Sequence, residues 1–403
     1  MTIAIHNTRL IDGAGAVIER ATVIVRRATI AAVGTTRDMA IPRAATRIDG
    51  RGLTLLPGLI DCHVHLCWRG EADVVKAVQQ ETPIETLLKA SRSAGQTLES
   101  GVTTVRDVGS RDHLIFALKK AIDKGLTPGP RIIGAGLAIC MIGGHLRRVI
   151  AQEVEGVEQV RQVVREQIDA GAEVIKVIAS GGVLTPGTSP DQAQMTLEEL
   201  RAAVDEAKQA GRKVAAHAHG ASGMKNAIHA GVHSIEHATL MDEEAAGLFE
   251  KHAVYMVPTL SALATTGACR RGCGIPDDAL EKAKAMTKRH QNSFRQAHRR
   301  GLLIAMGTDA GTPFNHHGDN AQELDRMVAL GMSPMEAIIA STSAAARLIG
   351  IQDQVGTIAK GKQADLVLVD GNPLRRIELL QGRSRIVGVM QAGKFVSGPL
   401  SKG

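Results

Sequence analysis

The chain has 403 residues, with 48 Lys and Arg set against 41 Asp and Glu, a formal charge of +7. That length exceeds one small domain and suits a large α/β domain with a smaller satellite. The basic residues are scattered and aromatic residues make up only 2% of the chain, which excludes the concentrated basic patch or stacking platform of a nucleic-acid binder.

Residues 1–57 read as short strands and turns. TIAIHNTRLID, ATVIVRRATIAAVG and ATRIDGRGLTLLPG carry β-branched residues broken by Gly and Asp. The N-terminal MTIAIHNTRLIDG lacks the basic segment and apolar run of a secretory signal. From residue 58 the texture changes to strand-like runs alternating with amphipathic helical runs. LIDCHVHL precedes ETPIETLLKASRSAGQTLESG, and GVTTVRDVG precedes DHLIFALKKAIDKG. PRIIGAG opens a long loop. Then EVIKVIAS, KVAAHAHG, HSIEHA, VYMVPTLS and LLIAMGTDAG each follow a helical stretch, several of which end in Gly. Eight such units close into a (β/α)8 TIM barrel. The last stretch, GTIAKGKQADLVLVDGNP and RIVGVMQAGKFV, returns to the texture of the first. The expected organisation is α/β: residues 1–57 and 351–403 form a small β-sandwich domain from both chain ends, and residues 58–350 form the barrel.

Polar residues stand at the ends of at least five of these strands, which favours a barrel mouth over the single switch point of an open sheet. His63 and His65 alternate at the end of the first strand, so both face one side. Two imidazoles there can hold a metal ion. Lys176 lies in a strongly apolar strand, where a free ammonium is costly and the neutral amine is favoured. A neutral amine can take up carbon dioxide and become a carbamate that bridges two ions. His217, His219, His237 and Asp309 complete the series. Zinc suits such borderline nitrogen and oxygen ligands. The five cysteines are expected as free thiols in a reducing, cytoplasmic setting, because the Cys269–Cys273 spacing lacks a four-ligand zinc pattern. No run reaches 18 apolar residues, so no membrane span is expected.

This ordered set resembles the amidohydrolase superfamily, and within it the metal-dependent prolidase and carboxypeptidase-like enzymes that include ochratoxin-hydrolysing amidohydrolases. The resemblance runs from LLPGLIDCHVHL to TIAKGKQADLVLVDGNP and includes TSTSAAARLIG, Ser341 to Gly350. It implies that His63 and His65 bind one divalent metal, that Lys176 is N6-carboxylated and bridges, and that His217 and His237 hold a second metal. It implies that Asp309 touches the first metal and handles the proton. A hydroxide activated by the two ions would attack the carbonyl of an amide, with Asp309 passing its proton to the leaving amine. His219 and His145, the latter in the Gly-rich loop CMIGGHLRR, are candidates to steady the oxyanion. Leu146 follows His145 where related enzymes commonly have glycine, so a different loop shape is expected.

The same resemblance implies a small-molecule substrate with an amide or peptide bond next to a C-terminal amino acid: a dipeptide, an N-acyl amino acid or an ochratoxin-like amide. Hydrolysis of a cyclic amide, a lactone or a phosphoester is the alternative. A carboxylate needs cationic partners, and Arg147 and Arg148 are the candidates. Tyr255, the only tyrosine, matches a strand position whose tyrosine contacts the carbonyl or carboxylate in the subgroup. Gly182 and Val183 follow the bridging lysine and are candidates to line the pocket, while His316 and His317 are candidates on the leaving-group side. Family behaviour implies a symmetric homo-oligomer.

Overall fold

The computed structural model describes residues 1–402. Runs of Ile, Val, Leu and Thr at both ends of the chain become strands because β-branched side chains suit the pleated surface. The first five are β1 (Thr2–Ile11), β2 (Val17–Arg26), β3 (Thr29–Thr35), β4 (Thr46–Asp49) and β5 (Leu53–Pro57). The last three are β15 (Leu366–Asp370), β16 (Ile386–Gln391) and β17 (Lys394–Ser397). They join one sheet in the order β17-β16-β15-β5-β1-β2-β3, with β4 parallel to the first half of β1. Ile5, Leu10, Val23 and Leu55 from one end share a core with Leu366, Leu368 and Met390 from the other. Both chain ends thus form the small β-sandwich.

Between them run β6 (Leu59–Val64), β7 (Val102–Asp107), β8 (Arg131–Gly134), β9 (Ala138–Met141), β10 (Ala151–Val154), β11 (Val174–Ile178), β12 (Lys213–Gly220), β13 (Ser234–Leu240) and β14 (Tyr255–Val257). The helices are α1 (Val74–Gln80), α2 (Pro83–Glu99), α3 (Leu114–Asp123), α4 (Gly156–Ala170), α5 (Leu197–Gln209) and α6 (Ala221–Ala230). They continue with α7 (Glu243–His252), α8 (Leu260–Ala268), α9 (Asp277–Arg299), α10 (Gln322–Ala329), α11 (Pro334–Ala340) and α12 (Ser343–Ile349). Capping boxes start α2 (Thr82 with Glu85), α5 (Thr196 with Glu199) and α11 (Ser333 with Glu336). Gly171 and Gly231 end α4 and α6 at φ 116° and 94°, left-handed values that cost glycine nothing.

The strands β6-β7-β8 and β11-β12-β13-β14 pair in parallel. Glu173 N donates to Gly134 O at 2.9 Å and carries β8 over to β11. Residues 302–310 close the circle: Ala305 N donates to Met256 O at 3.0 Å on one side, and Cys62 N donates to Met306 O at 2.9 Å on the other. This eighth strand is only a chain of isolated bridges, and it breaks at Gly307. A Cβ there would lie 2.3 Å from Val257 and 2.8 Å from the His63 Cβ. The result is a (β/α)8 TIM barrel carrying a β-sandwich.

Two expectations need correction. The stretch after PRIIGAG is not one long loop, because β9 and β10 pair within it and pin the Gly143–Arg148 segment between them. The cysteines are not all free: Cys269 and Cys273 form a disulfide, while Cys62, Cys67 and Cys140 are buried thiols. The turn after α8 folds back on itself, with Cys273 N donating to Arg270 O, and leaves the two Cα atoms 6.4 Å apart, within disulfide reach.

Candidate active site

A strand that runs toward the barrel mouth delivers its inward side chains to the axis, and five strands do this with nitrogen or oxygen ligands. The β6 end and the residue after it bring His63 and His65, β11 brings Lys176, β12 brings His217 and His219, β13 brings His237, and the eighth strand brings Asp309. All line one pocket. In each of two groups the ligand atoms lie within 4.8 Å of one another: His63, His65 and Asp309 in one, and His217, His219 and His237 in the other. The rings of His63 and His237 lie 5.0 Å apart and join the two groups. The ring of His145 lies 4.8 Å from that of His217.

Outer partners fix which nitrogen faces inward. His63 Nδ1 donates to Glu236 at 2.8 Å and His65 Nδ1 to Gly109 O at 2.8 Å. His237 Nδ1 donates to Thr259 Oγ1 at 2.7 Å, because that hydroxyl already donates to Pro258 O. Each of these rings keeps the Nε2 lone pair for a ligand. His217 is reversed: its Nε2 donates to Gly181 O at 3.2 Å, leaving Nδ1 free. Such partners set tautomer and orientation in metal sites. Glu236 is in turn held by Arg106 at 2.8 Å, with both side chains fully buried.

The electrostatics favour cation binding. Burial drives His217, His219 and His237 well below the usual histidine range, and pushes His145 down to about 3. These imidazoles are therefore neutral. Burial alone would raise Asp309, but His63 and His65 beside it hold it well below the carboxylate range. Burial lowers Lys176 to about 8. Two buried polar atoms at this point have no hydrogen-bond partner, Lys176 Nζ and Asp309 Oδ1. Asp309 Oδ1 lies 3.3 Å from His65 Nε2 and 3.4 Å from His63 Nε2. Orphaned atoms of this kind are costly without a partner. The donor set, its free lone pairs and its two orphans fit a pair of divalent ions.

The backbone is also strained here. His237, Thr259, Asp309 and Leu146 have φ of 70°, 50°, 60° and 59°, left-handed values that non-glycine residues hold at functional sites. Leu146 therefore keeps a glycine-like conformation, and its side chain enters the pocket. Val183 lines the pocket as expected. Gly182 lies under His145, since a Cβ on it would sit 2.2 Å from His145 Nε2.

Other expected contacts are not brought together. Tyr255 pairs with Ser234 at the start of β13, which puts it at the opposite end of the barrel, in a cleft with Lys213 and His252. The first residue of a strand cannot reach the mouth. Arg147 turns back onto Gly143 O and Gly144 O, and Arg148 pairs with Glu153 with its side chain 85% exposed. His317 sits behind the site and donates to Trp68 O at 3.0 Å, while His316 is exposed and bonds Arg69 O. Reading the sequence missed Glu236, Arg106 and Thr259, although a glutamate inside the apolar HSIEHA was a visible signal. It also missed α8, whose Ala262, Leu263 and Thr266 form one pocket wall.

The amidohydrolase family model matches residues 54–396. The chain belongs to the amidohydrolase family. This amidohydrolase is 32% identical to an ochratoxinase of Aspergillus niger over 97% of its own length and 85% of the relative's. Its fold matches a Xaa-Pro dipeptidase solved with bound methionine, at TM-score 0.92 and 36% identity, covering 99% of this chain and 100% of the other. It also matches a prolidase complexed with N-methylphosphonate-L-proline, at TM-score 0.91 and 32% identity over 98% and 99% of the two chains. This amidohydrolase is a hydrolytic enzyme, and its two ligand groups agree with the metal dependence of its family. No helix among the described residues is long and apolar enough to cross a membrane.

Proposed function

We propose that this amidohydrolase cleaves the amide or peptide bond of a small molecule at a binuclear metal site, next to a C-terminal amino acid. A dipeptide, an N-acyl amino acid or an ochratoxin-like amide is the substrate class. The observation that carries the reading is the convergence of His63, His65, Asp309, Lys176, His217 and His237 on one pocket, with Lys176 Nζ and Asp309 Oδ1 left without partners. The likeness to an ochratoxinase and to prolidases supports the bond type.

His63, His65 and Asp309 would hold one ion, and His217 and His237 the other. Zinc suits these ligands. Lys176 would bridge as a carbamate: its amine lone pair adds to the carbon of CO2 and the nitrogen loses a proton, which replaces a buried cation by a carboxylate-like anion. When bound, the two ions would polarise the scissile carbonyl and lower the pKa of a water molecule. Asp309 accepts a proton from the attacking water at Oδ1 and returns it to the leaving nitrogen. His145 and His219, both neutral, offer N–H donors to the negative oxygen that develops on the substrate carbonyl. The apolar walls exclude bulk water around them. We place the boundaries of the unit that does this at residues 58–350, with 1–57 and 351–403 as the sandwich. A symmetric homo-oligomer is the proposed assembly, on the strength of the family likeness.

The test is amine release from N-acyl amino acids, Xaa-Pro dipeptides and ochratoxin A by zinc-loaded protein in bicarbonate, with Lys176→Ala alongside. Release that disappears in the variant is expected. No release from any of these amides by fully loaded protein would overturn the reading.

A further inference from the structure

The pocket contains very little charge for a site meant to grip a carboxylate. Beyond the ligand-bearing residues and His145 its walls are mostly apolar, chiefly Leu146, Val183, Leu184, Leu263 and Pro313 with Trp68, and their remaining polar groups are the uncharged hydroxyls of Thr266 and Thr312. Leu146 belongs to one apolar cluster and Leu263 and Val183 to another, and Leu184 packs against both where they meet at the pocket. Among the described residues Lys176 is the one lysine or arginine in the lining, and as a bridging carbamate it would carry negative charge. Lys282, whose charge acts on His145, is taken by Asp278 at 2.8 Å and by Thr185 O at 3.3 Å. Both arginines of the β9–β10 segment point elsewhere. The two ions of the proposed site are committed to the scissile carbonyl and the attacking water, and a carboxylate moved from water onto the apolar walls away from them meets no cation and is strongly disfavoured. Besides Lys176 Nζ and Asp309 Oδ1, a third buried polar atom at the site is without a partner: Trp68 lines the pocket, its ring lies 4.6 Å from that of His65, and its Nε1–H has no acceptor. That donor suits a neutral oxygen such as a carbonyl.

We propose that this pocket selects its substrate by an uncharged, apolar group packed against Leu146, Val183, Leu184 and Leu263, and that the carboxylate of the leaving amino acid is dispensable. Neutral N-acyl amines with no carboxylate are then substrates in their own right. The inference rests on the reading of this pocket as an amide-cleaving site, and it extends the substrate class beyond amides of amino acids. Selection by contact with apolar walls also means that aspartyl or lysyl side chains are refused at this position.

The experiment uses the zinc-loaded full chain and three probes: N-acetyl-L-phenylalanine, N-acetyl-phenethylamine, which is the same compound without its carboxylate, and N-acetyl-L-aspartate. Amine release gives kcat/KM. The fluorescence of Trp68, the only tryptophan, gives binding independently of turnover. The phenethylamine compound is expected to bind and react at least as well as the phenylalanine compound, and the aspartate compound about 100-fold less well, the scale of one buried unpaired charge. Leu184→Lys, at a half-buried pocket position, is expected to shift the ratio about tenfold toward N-acetyl-L-phenylalanine, as one added ion pair would. A drop of about 100-fold or more on removing the carboxylate, in turnover or in Trp68 binding, overturns the proposal. Failure of all three to release amine would sink the amide-cleaving reading instead, while the order of Trp68 affinities would still decide the selection.

Discussion

Glu236→Gln should be among the most damaging single changes that leave every ligand in place. Glu236 accepts from Arg106 Nη2 at 2.8 and 3.0 Å and from His63 Nδ1 at 2.8 Å, and none of these groups is exposed. At 2.8 Å and an effective dielectric of about 20, the Arg106–Glu236 attraction is worth about 6 kcal/mol. Glutamine keeps the shape and a neutral hydrogen bond but leaves the guanidinium as a buried charge without a counter-charge. The expected loss is therefore about 3–5 kcal/mol of stability. His63 also loses the carboxylate that orients it, which costs about 10–100-fold in metal affinity. Denaturant unfolding of the metal-free protein measures the first effect, and a chelator-competition titration measures the second. Arg106→Met added to Glu236→Gln removes the stranded charge and should restore most of the stability but not the metal affinity. If Glu236→Gln unfolds within about 1 kcal/mol of the parent and binds metal equally well, the network is not what holds His63.

Glu323 accepts from Leu260 N, Ser261 N and Ser261 Oγ at the start of α8, and burial raises it to about 7. An unfolded chain releases that proton near pH 4.3, about 2.7 units lower, so the folded state loses about 3–4 kcal/mol as pH rises from about 4 to about 7. Glu323→Gln should flatten that slope in unfolding measured between pH 4.5 and 7.5, and an unchanged slope would count against it. Thr259→Val removes the acceptor of His237 Nδ1–H; about 1–3 kcal/mol of stability should go, and chelator competition should show weaker binding of one ion only. Leu146→Gly relieves a left-handed leucine worth about 1 kcal/mol but gives up a buried side chain worth about 2–3 kcal/mol. Net destabilisation of about 1–2 kcal/mol, with a higher KM for N-acetyl-phenethylamine, is the expected pair of results.

The ligand-bearing residues were legible because their positions obey one rule. None stands before the middle of its strand, and parallel barrel topology carries the C-terminal halves of the strands toward one mouth. Tyr255 breaks the same rule, since it opens its strand, and its rarity in the chain drew attention that its position did not support. Arg147 and Arg148 failed for another reason. Whether a loop arginine points inward depends on backbone angles, and here Leu146 and Arg148 at φ 59° and 58° turn the segment so that both guanidinium groups leave the pocket. The Glu236–Arg106 pair joins β13 to β7 across the barrel interior, a contact no local spacing encodes. The α8 wall was invisible because LSALATTGA is short and nearly uniform in polarity. The Cys269–Cys273 bond depends on the turn between the two residues.

The most direct test of the central claim is a count of divalent ions bound per chain, by elemental analysis of protein purified in bicarbonate with zinc, beside Lys176→Ala. The account predicts about two ions per parent chain and about one or fewer in the variant, because the bridge that links the two ligand groups is gone. About one ion or fewer in the parent would contradict the binuclear site, and two ions held equally by both proteins would contradict the Lys176 bridge.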